Sequence, residues 1–109
     1  MTKDQRLVES LHALLKEKAE IEETIATLPR GYISVKTISG HVYNYRQWRE
    51  GNKIVSSYVP ETLLSSTKRK IALRKEQEAL LKDVKKEIRS VSRKAIRAGL
   101  ITEDEISNL

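Results

Sequence analysis

At Leu28-Pro29-Arg30-Gly31 the apolar period of the chain changes, and no other feature constrains its fold as much. Before this point Leu7, Leu11, Leu14, Ile21, Ile25 and Leu28 recur at intervals of 4, 3, 7, 4 and 3, with Lys18 at the missing step. This is the a/d seam of a heptad helix with one polar interruption, of the kind that sets register or partner number where helices meet. Thr2 and Gln5 form a capping box ahead of it. The spacing therefore predicts one long helix over residues 1–28. Pro29 and Gly31 stop it, because a proline disfavours helix in the residue before it and glycine accepts the turn that follows.

From Gly31 to Pro60 the pattern alternates, and β-branched and aromatic residues become frequent, which predicts strands. Three fit, at Tyr32 to Ile38, His41 to Trp48 and Lys53 to Val59, with turns at Ser39-Gly40 and Glu50-Gly51-Asn52, giving an antiparallel meander over residues 29–59. Pro60 suits the first turn of a second helix, and Glu61 suits its dipole. That helix is expected to span residues 60–98, with a possible break near 65–68. Its apolar face is expected from Leu73, Leu80, Val84, Ile88, Val91 and Ala95, while Leu63, Leu64 and Ile71 lie on a shifted stripe. Gly99 is placed to cap it, and Thr102 with Glu105 forms a second capping box for a short acidic helix over residues 99–109. The expected fold class is α+β, mostly helical, in a single domain of residues 1–109.

Composition limits what such a chain can do. Its 109 residues are 39% apolar and 33% charged, with no Cys and no Phe. This favours elongated helical packing or a partner surface over a thick core. Without cysteine there is no disulfide framework and no thiolate metal site, so the expected location is cytoplasmic. No apolar run approaches the roughly 18 to 20 residues that span a bilayer, and no signal-peptide stretch opens the chain, so no membrane role is expected.

The net charge of +6 is unevenly laid out. Residues 1–28 carry −2, residues 29–59 carry +4, residues 60–98 carry +7 and the remainder −3. Fields of this kind steer association with polyanions. The densest basic run is Lys68-Arg69-Lys70, continued by Arg74-Lys75 with no acid between them. In a second cluster, Lys82, Lys85, Lys86, Arg89, Arg93, Lys94 and Arg97, residues 82, 86, 89, 93 and 97 follow a 4, 3, 4, 4 path. It reads equally as a phosphate track or as a solvated face paired with Glu76, Glu78, Asp83 and Glu87.

Two-residue turns would place Tyr32, Ser34, Lys36, Ile38, His41, Tyr43, Tyr45, Gln47, Ile54, Ser56 and Tyr58 on one sheet face. The opposite face would hold Ile33, Val35, Thr37, Val42, Asn44, Arg46, Trp48, Lys53, Val55, Ser57 and Val59. The tyrosine face can stack bases and touch phosphate, or it can be the face that packs on the helices, since tyrosine supplies both apolar area and a hydroxyl. Trp48 reads as an anchor at the sheet edge. The candidate nucleic-acid contacts on the sheet are Lys36, Tyr43, Tyr45, Arg46, Arg49, Lys53 and Tyr58, joined by Lys68, Arg69, Lys70, Arg74 and Lys75 on the helix. Leu7, Leu11, Leu14, Lys18, Ile21, Ile25 and Leu28 are the candidate oligomer or partner interface, with a homodimer or a helical hairpin both open.

No enzyme is expected. His12 and His41 lie in different elements, and HExxH, GxxxxGK[ST], GxSxG and GxGxxG are all absent. No metal and no cofactor are expected either.

Leu28-Pro29-Arg30-Gly31-Tyr32-Ile33, Gly40-His41-Val42-Tyr43-Asn44-Tyr45, Gly51-Asn52-Lys53 and Ser57-Tyr58-Val59-Pro60 resemble a set of small uncharacterised proteins of bacteria and their mobile elements. These pair a heptad helix with a tyrosine-rich meander and a basic C-terminal helix, and the likeness covers about residues 15–98. Some similar sequences carry cysteines in the first hairpin. This chain has none, so a metal role implied there does not extend to it. The order of sheet and basic helix is also similar to the arm-type DNA-binding domain of tyrosine integrases, although a long heptad helix precedes it here and no recombinase segment follows. The resemblance implies an architecture. Together with the charge it favours a non-enzymatic protein that binds DNA or RNA. The alternatives are a phage or mobile-element inhibitor module, such as an anti-CRISPR-like factor docking on a host nucleoprotein, and a structural coiled-coil adaptor.

Overall fold

The computed structural model describes residues 2–107. Its elements run α1 (Lys3–Ala26), β1 (Tyr32–Ile38), β2 (His41–Glu50), β3 (Lys53–Val59), α2 (Glu61–Arg97) and α3 (Glu103–Ser107), an α+β and mostly helical fold. The chain gathers into two compact units: α1 with everything from Gln77 onward, and Thr27–Glu76. The last two residues of the expected terminal segment lie outside the described residues.

In the helical unit, the Thr2 N–H donates to Gln5 Oε1 at 2.9 Å and the Gln5 N–H donates to Thr2 Oγ1 at 3.2 Å, so the capping box closes reciprocally. The heptad seam is the covered side of α1: Leu11 and Ile21 are buried, and Leu7, Leu14, Lys18 and Ile25 are half-buried. Lys18, half-buried on the seam, pairs its ammonium with Glu22 at 3.2 Å. From α2, Val84, Ser92 and Ala95 are buried in the same unit. Ser10, Ala13 and Leu14 line one shallow groove with Glu87, Ser90 and Val91, and Val8 lines another with Leu100, so the two helices run antiparallel as a hairpin. Each large aliphatic side chain buried here contributes on the order of 1.5–3 kcal/mol. The hairpin ends in a Schellman motif. The Leu100 N–H donates to the Ala95 carbonyl, the Gly99 N–H donates to the Ile96 carbonyl, and Gly99 takes the left-handed φ of 74° that the motif requires.

In the other unit the strands pair in the order β1-β2-β3, all antiparallel. Ile38 faces His41 across Ser39-Gly40, and Glu50 faces Lys53 across Gly51-Asn52, so both turns are two-residue loops. Ser39 and Gly40 have φ of 52° and 79°, the signs of a type I′ turn, whereas Gly51 at 59° sits at the first central position of a II′ turn. Gly31 has φ of 102°, and a Cβ there would lie 2.0 Å from the carbonyl oxygen of Gln47, so the entry to β1 admits only glycine. Val59 and Ile71 are the buried apolar side chains of this unit.

Four expectations are corrected. The first helix ends at Ala26 and not at Leu28, since the residues before Pro29 already leave the helical region. β2 runs on to Glu50, because the second turn needs only Gly51-Asn52. α2 passes through residues 65–68 unbroken, as serine and threonine do not by themselves stop a helix whose ladder continues. Leu73 and Leu80 lie outside the packed face, each 41% exposed. Ser92 and Ile96 are covered too, beside a stripe of Leu64, Thr67, Ile71, Arg74, Gln77, Leu81, Val84, Ile88, Val91 and Ala95. The intervals of the stripe repeat 3 and 4 except for two successive threes around Arg74, which rotates it.

Candidate nucleic-acid interface

The register builds the tyrosine face row by row. Ser34, Tyr45 and Tyr58 lie abreast, as do Tyr32, Gln47 and Ser56, while Lys36 pairs with Tyr43, Ile38 with His41 and Arg49 with Ile54. None of these twelve side chains is buried, and Tyr58 is 55% exposed. The opposite face carries the buried Val59 and the half-buried Ile33, Asn44, Arg46, Trp48 and Val55, although Val35 and Val42 are 61% and 62% exposed. The one buried side chain of the sheet, Val59, thus lies on the valine side, while the tyrosine face holds none: Ser34, Tyr43, Tyr45 and Gln47 are half-buried there and the other eight are exposed.

That surface is ordered by its own contacts. Tyr58 meets Tyr45 edge-on with centroids 5.9 Å apart and meets Tyr43 at 6.4 Å with a tilt of 59°, and Tyr43 lies 6.5 Å from the His41 ring. These separations fall in the favourable range for aromatic pairs. The Lys36 ammonium stands 5.0 Å from the centre of the Tyr45 ring. In the next row Tyr32 Oη donates to Gln47 Oε1 at 2.9 Å, and Gln47 Nε2 donates to Ser56 Oγ at 3.0 Å. This row completes the face beside the ring cluster, and period-two alternation was the signal for it.

The other expected contacts divide. Arg49 projects from the tyrosine face, exposed, whereas Lys53 and Arg46 project from the valine side. Arg46 is committed to structure: its Nη1 donates to the Arg30 carbonyl at 2.8 Å, and its guanidinium lies 3.9 Å from the centre of a Trp48 ring. Trp48 Nε1 donates to Glu50 Oε1 at 2.8 Å, and Arg30 Nη2 approaches the same oxygen at 3.6 Å, so an aromatic, an acid and two arginines clamp this sheet end.

On α2, Lys68, Arg69, Lys70 and Lys75 are exposed, while Arg74 turns inward and donates from Nη1 to the Leu28 carbonyl at 2.6 Å. At about 100° per residue, Lys68 and Lys75 share one side of the helix and Lys70 lies far round from them. Arg69 reaches Ser65 Oγ at 3.4 Å. Among the described residues no carboxylate lies within 4.0 Å of Lys68, Lys70 or Lys75. In the helical unit, Lys82, Lys86, Arg89, Arg93 and Arg97 are exposed along one face. Counted by unit, Thr27–Glu76 holds ten basic and three acidic side chains, a net +7, and the rest of the chain holds eleven and twelve, a net −1. The positive charge therefore belongs to the unit that bears the tyrosines.

Among the described residues there is no cluster of three metal-ligating side chains, and no helix is long and apolar enough to cross a membrane. His12 and His41 are exposed, in separate units.

No curated protein and no solved structure matches the chain. One family model does, over residues 11–70, which takes in most of α1, the whole sheet and the start of α2 through Lys70. With more than half of its length matched, the chain belongs to the family defined by a domain of unknown function, DUF6788.

Proposed function

We propose that this chain is a non-enzymatic nucleic-acid-binding protein of the cytoplasm, working through the Thr27–Glu76 unit. The observation that carries this reading is that an aromatic sheet face with no buried side chain and a net charge of +7 occur in the same unit. Stacking on exposed rings and neutralisation of phosphate are the two contributions that nucleic-acid surfaces combine. Tyr43, Tyr45 and Tyr58 with Lys36 and Arg49 supply the first contact surface. Lys68, Arg69, Lys70 and Lys75 supply cations that, among the described residues, no carboxylate neutralises at close range. Arg74 and Arg46 act on the fold, through Leu28 and through Arg30 with Trp48.

Titration of the folded protein against labelled single-stranded DNA, duplex DNA and RNA at low salt tests the proposal. Binding that weakens steeply as salt rises is the expected result. Absence of binding to all three would overturn it, and a single protein partner captured regardless of nuclease and salt would favour the inhibitor-module reading instead.

A further inference from the structure

Resting on the nucleic-acid reading, we propose that the tyrosine face selects single strands over duplexes by stacking unpaired bases on Tyr43 and Tyr58. Three observations point to this occupant.

The first is ring presentation. Tyr43, Tyr45 and Tyr58 are tilted or edge-on to one another at 5.9 to 6.4 Å, so they do not stack among themselves, and Tyr58 is more exposed than covered. The Lys36 ammonium occupies one side of Tyr45, which leaves Tyr43 and Tyr58 as the platform. A ring face recognises the face of a base, and inside a duplex that face is covered by the neighbouring pairs. Only an unpaired strand offers it.

The second is the shape of the sheet end. β2 is ten residues long and β3 seven, so His41, Val42 and Tyr43 run past the last pair, Asn44 with Val59, where the chain turns into α2. The overhang leaves a hollow of about 240 Å³ lined by His41, Tyr43, Asn44, Tyr58 and Glu61, among others. It is smaller than the pockets that hold drug-sized ligands, which start near 300 Å³. It adjoins the stacking pair and suits a flat heterocycle, since among its lining residues Glu61 can accept from an exocyclic amine and Asn44 can donate or accept.

The third is charge. The unit is strongly positive, yet the tyrosine face itself carries only Lys36 and Arg49 as full cations. That is sparse for gripping both backbones of a duplex and adequate for one strand laid across a platform.

The test compares a short labelled oligothymidine, a mixed-sequence single strand in DNA and RNA form, and the matching duplex, each titrated with the full chain by fluorescence anisotropy at one salt concentration. Tighter binding to the single strands is expected. Tyr43→Ala with Tyr58→Ala should weaken it by about tenfold or more per ring, and Tyr43→Phe with Tyr58→Phe should retain it. Duplex bound as tightly as single strand, or no loss in a folded alanine variant, overturns the proposal. If in that case Lys68→Ala with Arg69→Ala and Lys70→Ala still weakens binding, the broader nucleic-acid reading stands while strand selection falls. If the unaltered chain binds none of the probes, both fall. Should the alanine variant not fold, photocrosslinking of the unaltered chain to an iodouracil-containing single strand decides the matter. Adducts on Tyr43 or Tyr58 support the proposal, and adducts confined to residues 68–75 overturn it.

Discussion

The guanidinium of Arg74 donates to the carbonyl oxygen of Leu28 at 2.6 Å, joining residues 46 positions apart. Leu28 lies just beyond the end of α1, where carbonyls lose their helical donors, and Pro29 follows with no N–H to offer. A charge-assisted bond from α2 fills that vacancy, so a residue that looks like part of a basic run in sequence serves as a tie within the Thr27–Glu76 unit.

Arg74→Ala leaves the Leu28 carbonyl partly buried without this donor and is expected to destabilise the protein by about 2 kcal/mol, the range for hydrogen bonds to charged groups. Urea unfolding should show a lower midpoint at unchanged slope. Stability equal to that of the unaltered chain would show that the tie is dispensable.

The run beside Arg74 should behave in the opposite way. Lys68→Ala with Arg69→Ala and Lys70→Ala should leave the thermal midpoint nearly unchanged, because these side chains are exposed. It should also reduce the salt dependence of single-strand binding, by about 0.7 in log–log slope for each phosphate contact removed. An unchanged slope would place the phosphate contacts elsewhere.

Gly31→Ala is expected to cost about 3 kcal/mol or more. Its φ of 102° disfavours any side chain, and the added Cβ would overlap the Gln47 carbonyl oxygen, a backbone atom of the central strand that cannot move aside alone. Circular dichroism on heating should show a markedly lowered midpoint, and a midpoint equal to that of the parent would contradict the close approach.

Ser92→Ala should stabilise. Ser92 is 2% exposed and its hydroxyl has no hydrogen-bond partner among the described residues, so the substitution removes a desolvated polar group and improves helix propensity, together worth about 1 kcal/mol. A fall in the denaturation midpoint would mean that the hydroxyl is satisfied in solution.

Much of this architecture was legible in the sequence because its signals are local. The steps from Leu7 to Ile25 mark the covered side of α1, Thr2 with Gln5 closes its start, and Gly99 closes α2, all through contacts within a few residues. The sheet register followed from two short turns, and with it came the membership of each face. The α2 stripe was not legible. Leu73 and Leu80 continue an apolar spacing toward Val84 and yet stay exposed, because the covered positions step through Ile71, Arg74, Gln77 and Leu81 and pass them by. Apolar spacing along one helix records which positions can be buried, and it carries no mark of where the surroundings of that helix change.

The sequence by itself determined the elements, their order, the strand register and the excess of positive charge, since each is set by neighbouring residues or by composition. Only the tertiary structure decided which sheet face holds the buried side chain, that Arg46 and Arg74 bond to backbone carbonyls while Lys68 and Lys75 face solvent, and that the net positive charge resides with the tyrosines. These outcomes depend on which distant segments come to lie against each residue, and no local pattern records that.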